Sequence, residues 1–387
     1  MSASKGAEIS VIGGNISGLS AAYYLAKKGF TVTVYEPKIW NKPCGGAISL
    51  EFDHYLQSEL GIHLEESDFN IPRMKVGLWT GRHVDVEGVF TVTTRYDLQD
   101  KITQRLKKEP NVTFVEKSVR PDDYGLFTKQ TIIATGFTGL THQILDRKWH
   151  PRDWATILRF DGKIDKKVHP NAHLIVLDDK LVGYGWVFFG KDNHVNIGLG
   201  GVGQLKVIWE RYYRFFDMIQ EKYGYIIDPS LAKPQGWGLP IPIDKWEYGV
   251  STTKNGIEFI GVGDALGLAH PILGAGIEPG WQSGWLLSES VSSENIEVSR
   301  YIELLKANVS ISSCRGLDRL MAKMMRSSLI PFKDRFGYVG LKLFMGRMIR
   351  KMREYPWYAF VSDGRKKTGF STVGFNKSGI ATTVPPE

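Results

Sequence analysis

VIGGNISGLSAA, residues 11–22, lies at the centre of the first unit that can be read from the chain. The apolar run EISVIG (8–13) enters a glycine-rich turn. LSAAYYLAKKG (19–29) continues as a helix that stops at Gly29, where a residue free to take positive φ belongs. FTVTVYE (30–36) then reads as a second strand and closes on Glu36. Strand, turn, helix and strand in this order make a βαβ unit whose two strands lie parallel in one sheet. Gly13 and Gly18 occupy the first and third glycine positions of a G-x-G-x-x-G turn, with Gly14 and Ser17 between them. The second glycine position is Asn15. Asparagine tolerates positive φ better than most residues, so the turn is expected to survive with a bulkier approach to phosphates. The helix N-terminus behind it offers free N–H groups and a positive dipole end to a pyrophosphate. Glu36 stands at the strand end where a carboxylate accepts hydrogen bonds from an adenosine ribose.

Outward from this unit, 387 residues allow two or three domains or subdomains. With 42% hydrophobic and 23% charged residues the composition is globular. The net charge of +8 is local: Arg315 to Glu354 holds eleven Lys/Arg against three Asp/Glu, the whole excess. Two cysteines, Cys44 and Cys314, indicate no disulfide framework and fit a reducing cytoplasm. The N-terminus lacks a signal-peptide layout, and no run of eighteen apolar residues occurs. A cytoplasmic location is expected, with membrane contact at most peripheral. No paired metal-ligand spacing is present, so no metal is expected. No recognition motif accompanies the basic charge, so no nucleic-acid partner is expected.

TIIATG (131–136) reads as another buried strand, and residues 96–108 as a helix. From Ala155 to Gly200 the pattern changes to strands of period two, which predicts an antiparallel sheet. Residues 205–223 form an aromatic-rich amphipathic helix, and IEFIGVGD (257–264) returns to an apolar strand. The fold class is therefore mixed α/β. A Rossmann-like nucleotide domain is expected over 1–72, 91–150 and 251–297, an inserted antiparallel-sheet substrate domain over 73–90 and 151–250, and a basic helical region over 298–387. In VGYGWVFFGKDNHVNIGLGG (182–201), alternation places Tyr184, Trp186 and Phe188 on one face of a hairpin strand. Two readings are open: ordinary core, or a wall for a long apolar ligand.

FIGVGDALGLAHPILGAGIEPGWQSG (259–284) resembles the second flavin motif of FAD enzymes with p-hydroxybenzoate hydroxylase architecture. That resemblance implies FAD, with Gly263 and Asp264 at its sugar-like chain. His270, Pro271, Gly274, Gly276 and Ile277 then lead into a helix aimed at the flavin ring. A helix N-terminus there stabilises the negative charge of reduced flavin. It also implies that Arg95 reaches the cofactor and that Ala134 and Gly136 occupy a third motif. Thr135 stands where many relatives have aspartate, which bears on direct NADPH use; the donor is NADPH, ferredoxin or another reductant.

NKPCGGAIS (41–49) narrows the resemblance to the geranylgeranyl reductase family. LVGYGWVFF (181–189) is similar to that family's P-x-x-Y-x-W-x-F-P signature, with Leu181 and Phe189 in place of the prolines. The chain thus resembles a divergent member. The family implies hydride transfer from reduced FAD to C=C bonds of geranylgeranyl chains in lipid biosynthesis. It implies a prenylated lipid or prenyl diphosphate substrate held by Gly45, Gly46, Tyr184, Trp186, Phe188, His270 and Pro271. Cys44 and Tyr184 are the candidate catalytic residues. For Cys44 the open roles are proton donor, packing, gating, or none. A flavin monooxygenase or halogenase, or a non-catalytic prenyl-lipid-binding flavoprotein, is the alternative. The basic, Met-rich stretches 314–330 and 340–352 suit an anionic membrane, a phosphate headgroup, or a solvated face over a Met-lined core. A monomer or weak oligomer is expected.

Overall fold

The computed structural model describes residues 7–39, 42–64, 71, 73–87, 90–163, 172–227, 233–242, 249–270, 273–308, 374–375 and 381–382. The basic stretches at 314–330 and 340–352 lie outside the described residues. Among the described residues the fold is mixed α/β, organised by two large sheets.

The first sheet is built on the βαβ unit read from the sequence. Its strands are β1 (Glu8–Ile12), β2 (Thr31–Glu36), β7 (Val112–Glu116), β8 (Gln130–Ile133), β14 (Ser251–Lys254) and β15 (Ile257–Gly261), in the order β14-β15-β8-β1-β2-β7. All neighbours are parallel except the β14–β15 hairpin. Ile9, Val11 and Ile12 of β1 are buried, which is why that strand reads as continuous apolar sequence.

The second sheet has the order β13-β9-β12-β11-β10-β4-β5. Its strands are β4 (Arg73–Leu78), β5 (His83–Glu87), β9 (Trp154–Lys163), β10 (His173–Leu177), β11 (Val182–Phe189), β12 (His194–Val202) and β13 (Gln235–Pro240). It is antiparallel except for β10 against β4. A short antiparallel ribbon, β3 (Ala47–Ser49) with β6 (Phe90–Val92), stands beside it.

Seven helices complete the described residues: α1 (Ile16–Lys27), α2 (Leu50–Leu60), α3 (Arg95–Leu106), α4 (Gly139–Leu145), α5 (Leu205–Tyr223), α6 (Ile277–Glu289) and α7 (Val298–Ala307). Helices α1 and α6 pack closely: a Cβ on Gly284 would lie 2.5 Å from the Ala21 nitrogen. The Ser20 hydroxyl donates to the Trp281 carbonyl across the same contact. Trp281, fully buried, lies about 6 Å centroid to centroid from Tyr24, Phe52 and Tyr55, and so ties α1, α2 and α6 together. Helix α5 covers the back of the second sheet with Ile208, Tyr212, Phe215, Phe216 and Ile219. Phe215 occupies the space a side chain at Gly185 would need. Tyr184, Trp186 and Phe188 consequently face the other way, toward the β3–β6 ribbon and the Gly45 loop. No described helix is long and apolar enough to cross a membrane. No group of three or more metal-ligating side chains occurs among the described residues.

Candidate cofactor and substrate site

The turn after β1 is built around Gly13, whose φ is +103°. A Cβ there would lie 2.8 Å from the carbonyl carbon and oxygen of Ala134, so the turn packs directly on the end of β8. The role expected for Asn15 is corrected. It is extended, at φ −80° and ψ −177°, and does not use the left-handed region. It is the N-cap of α1: its Oδ1 accepts from the nitrogens of Ser17 (3.1 Å) and Gly18 (3.3 Å) and from the Ser17 hydroxyl (2.8 Å). Its Nδ2 donates to the Ala134 carbonyl. The Gly14 N–H donates to Glu36 Oε2 at 2.6 Å, and Gln99 Nε2 donates to the Gly14 carbonyl at 2.7 Å. Burial raises the Glu36 carboxyl above the ordinary value, opposed by the Gly14 hydrogen bond and the Arg95 charge.

A second cluster gathers at the end of β15. Asp264 follows Gly263, which packs on Ser17 of α1. Positions for a Cβ on Gly136 and on Gly276 lie 3.6 Å and 3.2 Å from Asp264 atoms, so both glycines border this carboxylate. Ile277 begins α6, with Gly276 as N-cap. Arg95 is buried, contrary to what an arginine opening a helix usually is, and its Nη1 has no hydrogen-bond partner. Burial lowers its guanidinium from the ordinary arginine value, opposed by Cys44, Asp264 and Glu36. Lys42, which sequence reasoning passed over, places Nζ 2.7 Å from Asp264 Oδ2.

The Cys44 loop lies between this cluster and the aromatic strand. A Cβ on Gly45 would be 3.2 Å from Phe188 and 3.5 Å from the Trp186 indole nitrogen. Gly46, at φ +70°, accepts from the Thr93 nitrogen at 2.9 Å. Trp186 and Phe188 are thus buried under the loop, whereas Tyr184 keeps part of its surface open. The Tyr184 hydroxyl donates to the Leu273 carbonyl and lies 3.7 Å from the Cβ position of Gly274. Burial, with Cys44 adding to it, raises the Tyr184 phenol far above its ordinary range. His270 shapes the turn before α6: its Nδ1 accepts from the Leu273 nitrogen at 3.2 Å, and its own N–H donates to the Ala275 carbonyl at 2.9 Å. Pro271 lies outside the described residues.

Three more residues complete the arrangement. Asn196 on β12 accepts from the Trp186 indole N–H (2.8 Å) and donates to the Cys44 carbonyl (2.8 Å). Arg159 on β9 donates to the Lys42 carbonyl at 3.1 Å and pairs with Asp161, which also meets His194 at 2.7 Å. Alternation along β12 places Asn196 on the same face as the aromatic rings, which was the available signal. Glu278, in the first turn of α6, accepts from the Ser49 nitrogen at 2.7 Å. Burial pushes its carboxyl up to about 7, against the hydrogen bonding from Ser49. Nothing in its sequence surroundings marked it.

Residues 11–71 match the NAD(P)-binding Rossmann-like domain family. Across 74% of this chain and 69% of the relative, the chain is 25% identical to the digeranylgeranylglycerophospholipid reductase of Sulfolobus acidocaldarius. Its fold matches the crystal structure of a geranylgeranyl bacteriochlorophyll reductase-like protein from Thermoplasma acidophilum, with TM-score 0.56, 18% identity, and 83% and 88% of the two chains covered. The chain resembles a divergent geranylgeranyl reductase-like FAD-dependent oxidoreductase. The chain is also 24% identical to the menaquinone reductase of Mycolicibacterium smegmatis, over 75% of the chain and 77% of that relative. CtdE in complex with FAD and a substrate shares the fold at TM-score 0.58 and 14% identity, covering 83% and 90% of the chains. The flavin-dependent brominase Bmp2 shares it at TM-score 0.56 and 12% identity, covering 90% and 99%.

The residues present fit FAD. A buried guanidinium nitrogen without a partner is what an acceptor group of a bound cofactor would satisfy. The Gly13 turn and the positive dipole end of α1 suit a pyrophosphate, although Asn15 and Glu36 already take the Ser17, Gly18 and Gly14 N–H groups expected to be free. Asp264 and the α6 N-terminus supply an acceptor and a positive dipole end for the remainder.

Proposed function

We propose that this flavoprotein reduces carbon–carbon double bonds in the isoprenoid chains of lipids. The observation that carries the reading is the aromatic face of Tyr184, Trp186 and Phe188 lying directly against the Cys44–Gly46 loop, beside the Arg95–Asp264 cluster. An apolar wall joined to a cofactor loop suits an alkene that offers no polar group to grip and must be held by shape. The names of the two curated relatives support it: they describe reductases of a digeranylgeranyl lipid and of menaquinone, both carrying long isoprenoid chains.

In this reading Gly13, Asn15, Ser17, Gly18 and Glu36 hold the nucleotide half of FAD, and Arg95, Asp264, Gly276 and Ile277 the flavin half. Reduced FAD supplies a hydride equivalent. Tyr184, the one ring of the three with surface left open, borders the chain, and Trp186 and Phe188, packed under the Cys44 loop, back that wall and exclude water. The second alkene carbon needs a proton, and Cys44 Sγ is better suited to hold it than Tyr184 Oη. The Tyr184 proton is committed to the Leu273 carbonyl, and burial makes that phenol a weaker acid. The basic segment 314–352 is the proposed peripheral contact with anionic membrane. Salt-sensitive co-sedimentation with anionic but not neutral vesicles would support that contact.

The test of the activity is anaerobic incubation of the FAD-loaded protein with dithionite and geranylgeranyl substrates bearing diphosphate, glycerophospholipid or quinone headgroups. Gains of two mass units per double bond are expected. No gain on any prenyl substrate, despite stoichiometric reducible FAD, would overturn the reading. Oxygen-dependent product formation would then favour a monooxygenase or halogenase.

A further inference from the structure

Lys42 joins the two sheets by its two ends. Its carbonyl accepts from Arg159 of the second sheet at 3.1 Å, and Arg159 is only 1% exposed. Its ammonium reaches Asp264, at the end of the first sheet's β15, at 2.7 Å. The Lys42 side chain retains about a fifth of its exposure and lies 5.9 Å from the Trp237 ring. A flexible lysine held at backbone and tip has little packing role; what it contributes here is charge. Around Asp264 the charged groups are Lys42 and Arg95, both cationic, and the carboxylate itself. Glu36 lies at the Gly14 end of the site.

We infer that Lys42 poises the flavin: by neutralising Asp264 it keeps that carboxylate from adding to Glu36 and Glu278 against the positive charge of Arg95 and the α6 N-terminus, so the site favours reduced over oxidised cofactor. Oxidised isoalloxazine is neutral. Two electrons and one proton leave one net negative charge on it, and a lone carboxylate nearby in a water-poor site opposes that charge. The inference rests on FAD as cofactor and not on the isoprenoid substrate, so it stands or falls independently of the proposed reaction.

The test is the midpoint potential of the FAD-loaded protein, measured anaerobically against a reference dye, with FAD content followed by absorbance. Lys42→Met should weaken the preference for reduced flavin about tenfold, which for a two-electron couple is about 30 mV more negative. Lys42→Arg should stay near wild type. Asp264→Asn, which leaves Lys42 unbalanced, should move the potential in the positive direction. In the Asp264→Asn background Lys42→Met should move the potential back toward wild type, because it removes the cation left unbalanced. The inference is overturned by an unchanged potential in Lys42→Met. A double variant that stays at the Asp264→Asn potential, or a negative shift in Asp264→Asn alone, overturns it as well. Should Lys42→Met fail to load FAD, Asp264→Asn and Lys42→Arg still decide the sign. Failure of the wild-type chain to bind FAD would remove the basis of the inference altogether.

Discussion

Replacing Asn196 by alanine should loosen the Cys44 loop without altering any residue in it. Asn196 is 1% exposed and bridges three elements: it accepts from the Trp186 indole and donates to the Cys44 carbonyl, both at 2.8 Å, and to Asp161 at 3.3 Å. Truncation strands one buried indole N–H and one loop carbonyl. An unsatisfied buried group costs about 1–3 kcal/mol, so the sum is about 2–6 kcal/mol of stability. If the Cys44 carbonyl bond alone contributes about 1 kcal/mol to holding the loop down, its loss raises the open fraction about fivefold. With Cys314 replaced by serine so that one thiol reports, Cys44 alkylation should quicken by about that factor under native conditions. The urea midpoint should fall in parallel. An unchanged alkylation rate together with an unchanged midpoint would refute the view that the second sheet holds the loop.

Asn15→Ala removes the α1 cap and should cost about 1 kcal/mol in unfolding experiments, with weaker FAD retention. A midpoint equal to wild type would show that the cap is dispensable. Gly13→Ala forces a Cβ to within 2.8 Å of Ala134 at φ +103°. The backbone strain alone is about 1–3 kcal/mol, so poor FAD loading and a lowered melting temperature are expected; normal loading would contradict the geometry. Burial lowers His173 to about 4 from the ordinary 6.5, because the buried ring is held neutral. The unfolded chain therefore binds more protons between those values. Stability is full above about 6.5 and falls as pH drops toward 4. His173→Gln should flatten that limb of a denaturation-versus-pH profile, and an unaltered slope would exclude His173 as its source. For Glu278 the sign is opposite: with a native value of about 7 against an ordinary 4.5, stability is lost as pH rises through that window. Glu278→Gln should remove the loss, and a persisting slope would count against it.

What was legible in the sequence was local. The β1–turn–α1–β2 unit rests on contacts within thirty residues, and the hairpin's alternation declares its two faces. Asn15 shows how a motif can obscure a simpler local rule. Set against glycine positions it looked like a departure, yet asparagine one residue before a helix is the ordinary N-cap. The unread contacts are long-range pairs. Asn196 meets Cys44 across 152 residues, Arg159 meets Lys42 across 117, and Lys42 meets Asp264 across 222. Periodicity shows that a face will be covered but not by what. This is why Trp186 and Phe188 were open between core and wall, and why burial of Arg95 was not foreseen.

The contact between α1 and α6 has a dimensional consequence. The two helices whose N-termini are proposed to hold opposite ends of the cofactor are locked through Gly284 on Ala21 and through Ser20 on the Trp281 carbonyl. Their spacing is therefore set by helix packing and does not depend on how the loops between them settle. A side chain at position 284 would push the two helices apart from behind and is expected to weaken FAD retention without touching the cofactor.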